Sequence, residues 1–401
     1  MKHIVFVVGN YKNGGVPMRS TNLANAFAEK GYRCTILVTK EIAENIYFSL
    51  NDNVELVSLK EYVNNHKKQR DRIKAEREKV IRAIKKIRYF SKFNKAFDKS
   101  LAGKIKGLRL GQDIAVFAEN NPKAVFITFG LAYYEETFFG VKGTDCSVIY
   151  AERNAPEVEF PKDNEQKDYY ISLVKQAKGA VLQTKDELSF YDGQLESPVV
   201  INNPVKAGLP DAFVGERRKV VVNFCRIALQ KNIPLMLDAF LKLHNDFPDY
   251  ELHIYGNTVA DNEVQLLQEY KTFVKTQGAE DFIKFLPPCA DVHEKIRDAM
   301  MFVSSSDFEG LSNSMLEALA IGLPCVCTDC LGGGAREMIT EEENGLLVPM
   351  NNSDLLYRAM KRMIEDEALR LKCSLNAAKV KESHAVEKIA EKWLQYIDSV
   401  T

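Results

Sequence analysis

The sequence predicts an α/β protein of two domains, each built around a parallel β-sheet. In the first half of the chain, short apolar runs alternate with helical patterns, the first of them near residues 18–30; the runs lie at residues 3–8, 33–38, 124–128, 146–151, 179–183 and 198–202. The alternation starts again after a segment rich in proline and glycine, with runs at residues 219–224, 251–255, 282–286, 300–304 and 324–328. Strands that alternate with helices in this way are typical of parallel sheets.

The length and the linker set the expected domain limits. A chain of 401 residues exceeds what one hydrophobic core usually supports. We expect an N-terminal Rossmann-like domain at residues 1–205 and a C-terminal one at residues 206–380. A final helix at residues 381–401 is expected to pack back on the N-terminal domain. Because ligands of parallel sheets bind at the carboxyl ends of the strands, the two domains are expected to face each other across one cleft.

Composition favours a soluble protein without metal or disulfides. Hydrophobic residues make up 46% of the chain, and no run approaches the length of a membrane span. The apolar start at residues 3–8 is broken too early for a signal peptide, so we expect a cytoplasmic protein. Eight cysteines in so long a chain are typical of buried apolar side chains. A zinc site at Cys325, Cys327 and Cys330 would lack a fourth ligand, so no metal is expected.

One segment stands out by its charge. Residues 60–109 hold 18 Lys or Arg and five Asp or Glu, a balance of +13 in a chain whose total is −1. Apolar residues recur through it mostly three or four apart, which predicts one or two amphipathic helices; they are Ile73, Val80, Ile84, Ile87, Phe90, Phe93, Phe97, Leu101 and Ile105. Such a segment either packs as a solvated helical excursion or adsorbs to anionic lipid. Nucleic acid is not an expected partner, since no recognition module accompanies the charge.

A pair of glutamates carries the strongest indication of function. Glu309 and Glu317 lie eight residues apart, just after the apolar run at residues 300–304. Serine and asparagine at residues 312–314 are suitable N-cap residues, so a helix is expected to begin there. The free N–H groups and the dipole of such a start bind phosphate without a metal, and leave the two carboxylates to bind hydroxyl groups.

Further residues point to the same chemistry. Gly14 and Gly15 lie between the first strand and the first helix, where backbone amides can approach a ligand. Arg226 and Lys231 follow the strand at residues 219–224, and two cations at a strand end suit a diphosphate. Gly256 follows the next strand and leaves room for a ligand. Each of these features also has a purely local explanation when it stands alone.

In this order and spacing, the set resembles the retaining glycosyltransferases of GT-B fold, family four. The likeness covers essentially the whole chain and is strongest from Asn223 to Pro349. It implies that Glu309 contacts the donor sugar, that Glu317 contacts the nucleotide ribose, and that Arg226 and Lys231 hold the donor diphosphate. The family's glycine before the arginine is Cys225 here, and no histidine of the first domain matches the one found in some members.

The resemblance also assigns the remaining binding residues. Arg226, Lys231 and Glu309 are expected to be catalytic, and the expected donor-binding residues are Gly15, Gly256, Gly310, Leu311, Ser312, Asn313 and Glu317. Gly14 is expected near the acceptor. The segment Glu152-Arg153-Asn154-Ala-Pro156 resembles the Glu-Arg-Asn-x-Pro segment of a subgroup that builds bacterial surface polysaccharides on lipid carriers. It is read either as part of the acceptor site or as a loop ion pair.

The sequence thus predicts a metal-independent retaining transferase without a cofactor. It would move a hexose or N-acetylhexosamine from a nucleotide sugar, UDP-linked, to a growing, lipid-linked surface glycan. Its expected place is the cytoplasmic face of the cell membrane, reached through residues 60–109. One alternative is a non-catalytic protein that binds nucleotide sugar in glycan assembly. Another is a Rossmann dehydrogenase, which ranks last because Gly14-Gly15 is not a full Gly-x-Gly-x-x-Gly.

Overall fold

The computed structural model describes residues 2–12, 14–44, 46, 49–90 and 95–401, and for residues 89, 90 and 95–100 it describes the backbone only. The chain forms two compact units. The first holds Met1–Leu182, Leu188–Ile201 and Ala390–Thr401, and the second holds Gln183–Glu187 and Asn202–Ile389. The expected limit at residue 205 is close to the change of unit at residues 201 and 202.

The first unit is built on a seven-stranded parallel sheet. Its strands are β1 (His3–Val8), β2 (Arg33–Val38), β3 (Val54–Ser58), β4 (Val125–Phe129), β5 (Ser147–Ala151), β6 (Gly179–Leu182) and β7 (Pro198–Val200). Their order across the sheet is β3-β2-β1-β4-β5-β6-β7. Strands β1 and β4 lie in the interior of the sheet, and every residue in them is buried. This burial on both faces explains why these strands read as unbroken apolar runs.

Helices cover this sheet along the chain. They are α1 (Gly15–Glu29), α2 (Leu59–Asn65), α3 (Lys67–Phe90), α4 (Lys95–Leu110), α5 (Gln112–Asn120), α6 (Leu131–Val141), α7 (Pro156–Glu159), α8 (Asn164–Val174) and α9 (Lys185–Phe190). Several of the starts have side-chain caps: Ser58 accepts from the N–H of Glu61, Asp163 from that of Gln166 and Thr184 from that of Glu187. Such caps satisfy N–H groups that a helix start leaves open.

The second unit repeats the pattern with a six-stranded parallel sheet. Its strands are β8 (Arg218–Arg226), β9 (Glu251–Asn257), β10 (Ile283–Leu286), β11 (Ala299–Ser304), β12 (Cys325–Asp329) and β13 (Gly345–Pro349), in the order β10-β9-β8-β11-β12-β13. Its helices are α10 (Ile233–Asp246), α11 (Asp261–Thr276), α12 (Val292–Ile296), α13 (Asn313–Ala320), α14 (Gly334–Met338), α15 (Ser353–Glu365), α16 (Glu367–Ala377), α17 (Val380–Ser383) and α18 (Val386–Val400). From Ala390 onward, α18 belongs to the first unit.

Alternate side chains of the central strands lie in two separate apolar cores in the second unit. On β8, Val221 lies in one core, whereas Val220 and Val222 lie in the other. On β12, Val326 and Cys325 divide in the same way. Because side chains of a strand point alternately to opposite faces, helices must cover both faces of this sheet. The predicted fold class of two parallel α/β domains is confirmed.

Two strands were missing from the sequence prediction. The edge strand β3 mixes buried Val54 with exposed Glu55 and Leu56, so it presents no continuous apolar run. The edge strand β13 follows a turn and carries Gly345 and Pro349 at its two ends, residue types that disfavour a strand. Pairing with β2 and with β12, respectively, forms these strands despite their weak local pattern.

The basic segment at residues 60–109 overlaps helices α2, α3 and α4, and the predicted apolar spacing from Ile73 to Ile105 falls on two of them, α3 and α4. Its apolar residues divide between core and surface. Ile73, Leu101 and Ile105 are buried, whereas Val80 is 49% exposed and Ile87 is 51% exposed. Phe93 lies outside the described residues, and so do the side chains of Phe90 and Phe97. None of the helices in the described part of the chain combines the length and the apolar character needed to span a membrane.

Candidate active site

Two loops of the second unit meet at the carboxyl ends of β8 and β11. After β8 the chain makes a short 3₁₀ turn, Leu229–Lys231, and after β11 it continues through Ser305 and Ser306. The hydroxyl of Ser305 donates to the carbonyl oxygens of Lys231 and Asn232, both at 2.9 Å. The N–H of Asp307 donates to the carbonyl of Gln230 at 2.9 Å. Neighbouring parallel strands end at the same edge, so their loops can be joined in this way.

This junction brings Lys231 and Glu309 into a largely buried ion pair. Their side chains are 16% and 13% exposed, and the ammonium group of Lys231 contacts Oε1 of Glu309. Ser306 also donates to Oε1, at 3.0 Å, and Gln230 donates through Nε2 to Oε2, at 3.1 Å. Burial is the largest single effect and lowers the pKa of Lys231, but the charge and hydrogen bond of Glu309 together with the Cys225 thiol raise it by more, so the pKa lies above its ordinary value. Lys231 is therefore a fixed positive charge at neutral pH.

Arg226, the last residue of β8, is the more exposed of the two predicted cations. Its side chain is 49% exposed, and its Nε lies 3.3 Å from Oε1 of Glu263. Glu263 in turn accepts from the N–H of Val259 at 2.6 Å. The Cys225 thiol, in the place of the family's glycine, is held inert because burial raises its pKa to about 11. Each of the two cations thus has a carboxylate partner in this structure.

Helix α13 starts beside Glu309, where the sequence predicts it. Ser312 is the N-cap, and its side chain accepts from the N–H of Met315 at 3.5 Å. The N–H of Leu311 donates to Oε1 of Gln183 at 3.1 Å. Within the described residues, the N–H groups of Ser312 and Asn313 have no protein acceptor. The helix start therefore offers free donors and the positive end of its dipole.

Two buried amides fix the chain just before this helix. Gln183 Nε2 donates to Asn203 Oδ1 at 2.6 Å, while Asn203 Nδ2 lies 3.1 Å from both the carbonyl of Leu311 and Oδ1 of Asn313. Neither Gln183 nor Asn203 was predicted as a site residue. Their only signal in the sequence is that both are polar residues shortly after a strand of the first sheet: Gln183 directly follows β6, and Asn203 lies three residues after the end of β7.

The second glutamate, Glu317, lies inside α13 and is held by a histidine. Nε2 of His293 lies 2.8 Å from Oε2 of Glu317, and both side chains are nearly buried. The ring of His293 packs edge-on against Phe224, with centroids 5.5 Å apart. The sequence prediction assigned no role to His293. It sits in the short helix α12, distant in sequence from every predicted site residue, so no local pattern marks it.

The glycines near these loops have packing roles of their own. A Cβ on Gly334 would come within 1.7 Å of the carbonyl oxygen of Gly310, so the glycine run permits direct contact between two backbone segments. A Cβ on Gly256 would lie 2.4 Å from Cδ1 of Ile227. Gly256 therefore allows close packing beneath the loop after β8, and its role in donor binding stays a prediction.

The predicted residues of the first unit lie at the carboxyl ends of its strands. Gly14 is the N-cap of α1 and Gly15 is its first residue, and both are exposed. Gly14 has an extended backbone with φ 169°, which any residue can adopt, so its conformation alone does not require glycine. The segment from Glu152 to Asn154 directly follows β5.

Glu152 is fully buried beneath two tyrosine hydroxyls. Tyr150 and Tyr191 donate to its Oε2 at 2.9 and 2.8 Å, and the N–H of Arg153 donates to its Oε1 at 3.1 Å. Burial raises the pKa of Glu152 to about 7, although the Tyr191 hydroxyl opposes the shift. Such a carboxyl can change its charge near neutral pH.

Arg153 and Asn154 bind the same carboxylate a few residues on. Nη2 of Arg153 donates to Oε1 of Glu159 at 3.2 Å, and Nδ2 of Asn154 lies 3.4 Å from that oxygen. The ion pair that one interpretation of this segment required is therefore present. A direct contact of Glu152, Arg153 or Asn154 with an acceptor stays a prediction.

Over the described ranges, no group of three or more His, Cys, Asp or Glu side chains is arranged to hold a metal ion. Cys325, Cys327 and Cys330 are all buried, and burial raises the pKa of each of their thiols. Cys325 and Cys327 have apolar neighbours in a core of the second unit.

Comparison with known proteins places this geometry in a family. The sequence profile of glycosyl transferases group 1 matches residues 211–380, the span that holds Arg226, Lys231, Glu309 and Glu317. An N-acetylgalactosamine-N,N'-diacetylbacillosaminyl-diphospho-undecaprenol 4-alpha-N-acetylgalactosaminyltransferase of Campylobacter jejuni is 31% identical over 64% of this chain and 70% of its own. The chain belongs to the group 1 glycosyl transferases.

Other relatives share less of their length with this chain. An uncharacterized glycosyltransferase of Haemophilus influenzae is 26% identical over 48% of this chain, and the match spans 54% of the Haemophilus protein. Among solved structures, that of TarM has a TM-score of 0.75 at 14% identity and covers 99% of both chains. A second TarM structure, of the S. aureus protein, contains UDP. At such low identity the likeness establishes the GT-B fold and nothing further.

Proposed function

We propose that the protein is a retaining glycosyltransferase that moves a hexose or N-acetylhexosamine from a UDP-sugar to a growing, lipid-linked surface glycan. The observation that carries the proposal is the buried pair of Lys231 and Glu309 next to the start of α13. A cation and free N–H groups at one sheet edge match the diphosphate, which is the leaving group, and the carboxylate beside them matches hydroxyls of the sugar. The UDP in a TarM structure supports the choice of nucleotide.

The hard step in such a transfer is the departure of the diphosphate. The leaving group gains negative charge as the sugar becomes cation-like, so groups that meet this charge lower the barrier. Lys231 stays charged at neutral pH because Glu309 holds its pKa high. Arg226 is exposed enough to reach a ligand, and a diphosphate would compete with Glu263 for its guanidinium group. The free N–H groups of Ser312 and Asn313 add a third positive element.

The two glutamates would divide the neutral parts of the donor. Glu309 would accept hydrogen bonds from hydroxyls of the sugar, and Glu317 would accept hydrogen bonds from hydroxyls of the ribose. His293 would fix the orientation of the Glu317 carboxylate. The family resemblance supplies the stereochemistry: the acceptor attacks from the face that the diphosphate leaves, and the leaving phosphate takes its proton. No step in this scheme uses a metal, since the charges on the phosphates are met by Arg226, Lys231 and the helix start.

A membrane-bound acceptor fits the surface of α3. Val80, Ile84 and Ile87 are spaced by four and three residues, so they share one face of the helix, and Val80 and Ile87 are about half exposed. Lys85 and Lys86 are exposed on the same helix. Exposed apolar residues flanked by lysines are typical of helices that adsorb to anionic lipid. The Campylobacter relative is named for a diphospho-undecaprenol acceptor, which supports a lipid carrier here.

The test is a panel of nucleotide sugars incubated with the purified protein, with release of nucleoside diphosphate as the readout. We expect turnover of one or a few UDP-sugars. In Arg226→Ala the rate should fall about 100- to 1000-fold, as for the loss of one preorganised donor. Arg218→Ala is the matched control, because Arg218 lies at the other end of β8, is similarly exposed and also pairs with a carboxylate, that of Asp298.

The same panel separates the main alternative. A non-catalytic assembly partner would bind a nucleotide sugar in calorimetry but release no diphosphate at any enzyme concentration. Equal rates in Arg218→Ala and Arg226→Ala would remove Arg226 from the proposed site.

A further inference from the structure

Gln230 lies between the two predicted cations, and the proposed function gives it no role. It follows the exposed Leu229 and precedes Lys231 in the 3₁₀ turn after β8. Its side chain is half-buried and points to the loop that carries Glu309. Nε2 donates to the carbonyl oxygen of Phe308 at 2.7 Å and to Oε2 of Glu309 at 3.1 Å. Both hydrogens of the amide are therefore used on two consecutive residues.

The junction of the two loops does not depend on this side chain. The backbone carbonyl of Gln230 accepts from the N–H of Asp307, and Ser305 donates to the carbonyls of Lys231 and Asn232. Nδ2 of Asn232 donates to Oδ1 of Asp307 at 2.7 Å. These bonds hold the loops together even where residue 230 has another side chain. The amide of Gln230 acts more locally, on the position of Phe308 and Glu309.

The carboxylate of Glu309 has a nearly complete set of donors. A carboxylate offers about four lone-pair positions for hydrogen bonds. Among the described residues, Lys231 and Ser306 reach Oε1, and Gln230 reaches Oε2. One acceptor position therefore stays open, on Oε2, and the bond from Gln230 decides its direction.

We infer that Gln230 is a positioning residue, which orients the open acceptor position of Glu309 toward a hydroxyl of the donor sugar. The inference deepens the proposed function and rests on it for its kinetic readout. Chemistry restricts the position: its two partners are a carbonyl oxygen and a carboxylate oxygen, both acceptors, so the side chain must supply two donors. Glutamine does this without charge, whereas an ionised glutamate of the same shape supplies none and repels Glu309.

The test is Gln230→Glu, which preserves size and the backbone bonds. At about pH 8 we expect kcat/KM for the UDP-sugar to fall about 100-fold, the cost of a misplaced group in an active site. Protonation of the new carboxyl restores one donor and removes the repulsion. Because Glu309 raises the pKa of that carboxyl, activity should recover as the pH falls from about 8.5 to about 5.5, relative to the wild type at each pH.

The matched control is Gln265→Glu. Gln265 lies in α11 of the same unit, and its Nε2 donates to Oε1 of Glu269 at 3.1 Å, so it makes the same kind of bond on an exposed helix. We expect wild-type kinetics from this variant at every pH. A loss that is the same at every pH in Gln230→Glu would mean a merely structural role and would overturn the inference, as would unchanged kinetics.

A second readout needs no substrate. The melting temperature of Gln230→Glu should lie below that of the wild type at about pH 8, and the gap should close as the pH falls. The sign follows from linkage: a carboxyl whose folded pKa is raised stabilises the fold below that pKa and loses the contribution as the pH rises. If the difference in melting temperature closes at low pH but the wild type shows no turnover, the contact between Gln230 and Glu309 is supported and the proposed function is refuted. A gap that is absent or independent of pH would refute the contact itself.

Discussion

The ion pair of Lys231 and Glu309 allows stability and activity to be separated. In Lys231→Met, Glu309 keeps Ser306 and Gln230 as donors but loses its only cation among the described partners. Breaking a buried ion pair on one side costs about 3–5 kcal/mol of unfolding free energy, because a charge stays buried without compensation. Since two hydrogen bonds remain and neither side chain is fully buried, we expect the lower end of that range. The second unit should lose about 3 kcal/mol.

The double variant Lys231→Met/Glu309→Gln removes both charges at once. Its loss of stability should be smaller than that of either single variant, since no uncompensated charge is left. For a domain of 150–250 residues, 1 kcal/mol shifts the melting temperature by about 2–4 °C. The single variants should therefore melt about 6–12 °C below the wild type. Differential scanning calorimetry of the four proteins in the cycle measures this directly.

Activity should follow a different rule in the same four proteins. Both single variants and the double variant should lose about 100-fold or more in rate, because the proposed function has the cation and the carboxylate contact different parts of the donor. Stability that recovers in the double variant while activity does not is the expected signature of a site pair. If the double variant melts as low as the single variants, the pair is not the electrostatic unit described here. If any single variant keeps nearly full activity, that residue does not contact the donor.

Three further outcomes are expected. The proposed function has side chains and a helix start meet the phosphate charge, so transfer should be unchanged after incubation with EDTA. Loss of transfer that Mg²⁺ or Mn²⁺ restores would contradict this. The protein should sediment with anionic liposomes at low salt and less at about 1 M salt, where the Debye length is about 3 Å. The variant Lys85→Glu/Lys86→Glu should bind these liposomes less than the wild type does. The control variant Lys271→Glu/Lys275→Glu changes two exposed lysines elsewhere and should bind as the wild type does. Burial raises the pKa of Glu152 to about 7, so the melting temperature of the wild type should fall as the pH rises from about 5 to about 8. In Glu152→Gln this decline should be flatter. Parallel curves of melting temperature against pH for the two proteins would argue against a buried, titrating Glu152.

The sequence predicted those parts of the fold that local pattern controls. Interior strands such as β1 and β4 are buried on both faces and read as continuous apolar runs. An edge strand has a neighbouring strand on one side only, so β3 tolerates the exposed Glu55. It therefore has no continuous apolar run from which it could be predicted. The start of α13 was predictable because Ser312 is both a suitable N-cap in sequence and the observed cap. Periodicity and capping are local, and local information was sufficient there.

The candidate site shows the same difference between local and non-local information. Glu309, Glu317, Arg226 and Lys231 were predicted as site residues because their spacing along the chain is distinctive. The partners of Arg226 and Glu317 were not predicted, because each of them comes from a distant part of the sequence. His293 reaches Glu317 from another helix, and Glu263 reaches Arg226 from α11. Hydrogen bonds between residues far apart in sequence depend on the folded backbone, which spacing alone does not give.

The last residues of α18 give the order of synthesis a physical meaning. Trp393 and Ile397 are fully buried in the first unit, Trp393 packs against Phe129 of β4, and the hydroxyl of Tyr396 bonds the backbone at Ala180 and Ser197. The first unit is therefore completed by residues that leave the ribosome after the whole second unit has been made. During translation the apolar surface of the first unit near β4 and β6 stays uncovered until these residues have been made. A stop codon just before Ala390 would therefore destabilise the first unit, although most of that unit is synthesised first.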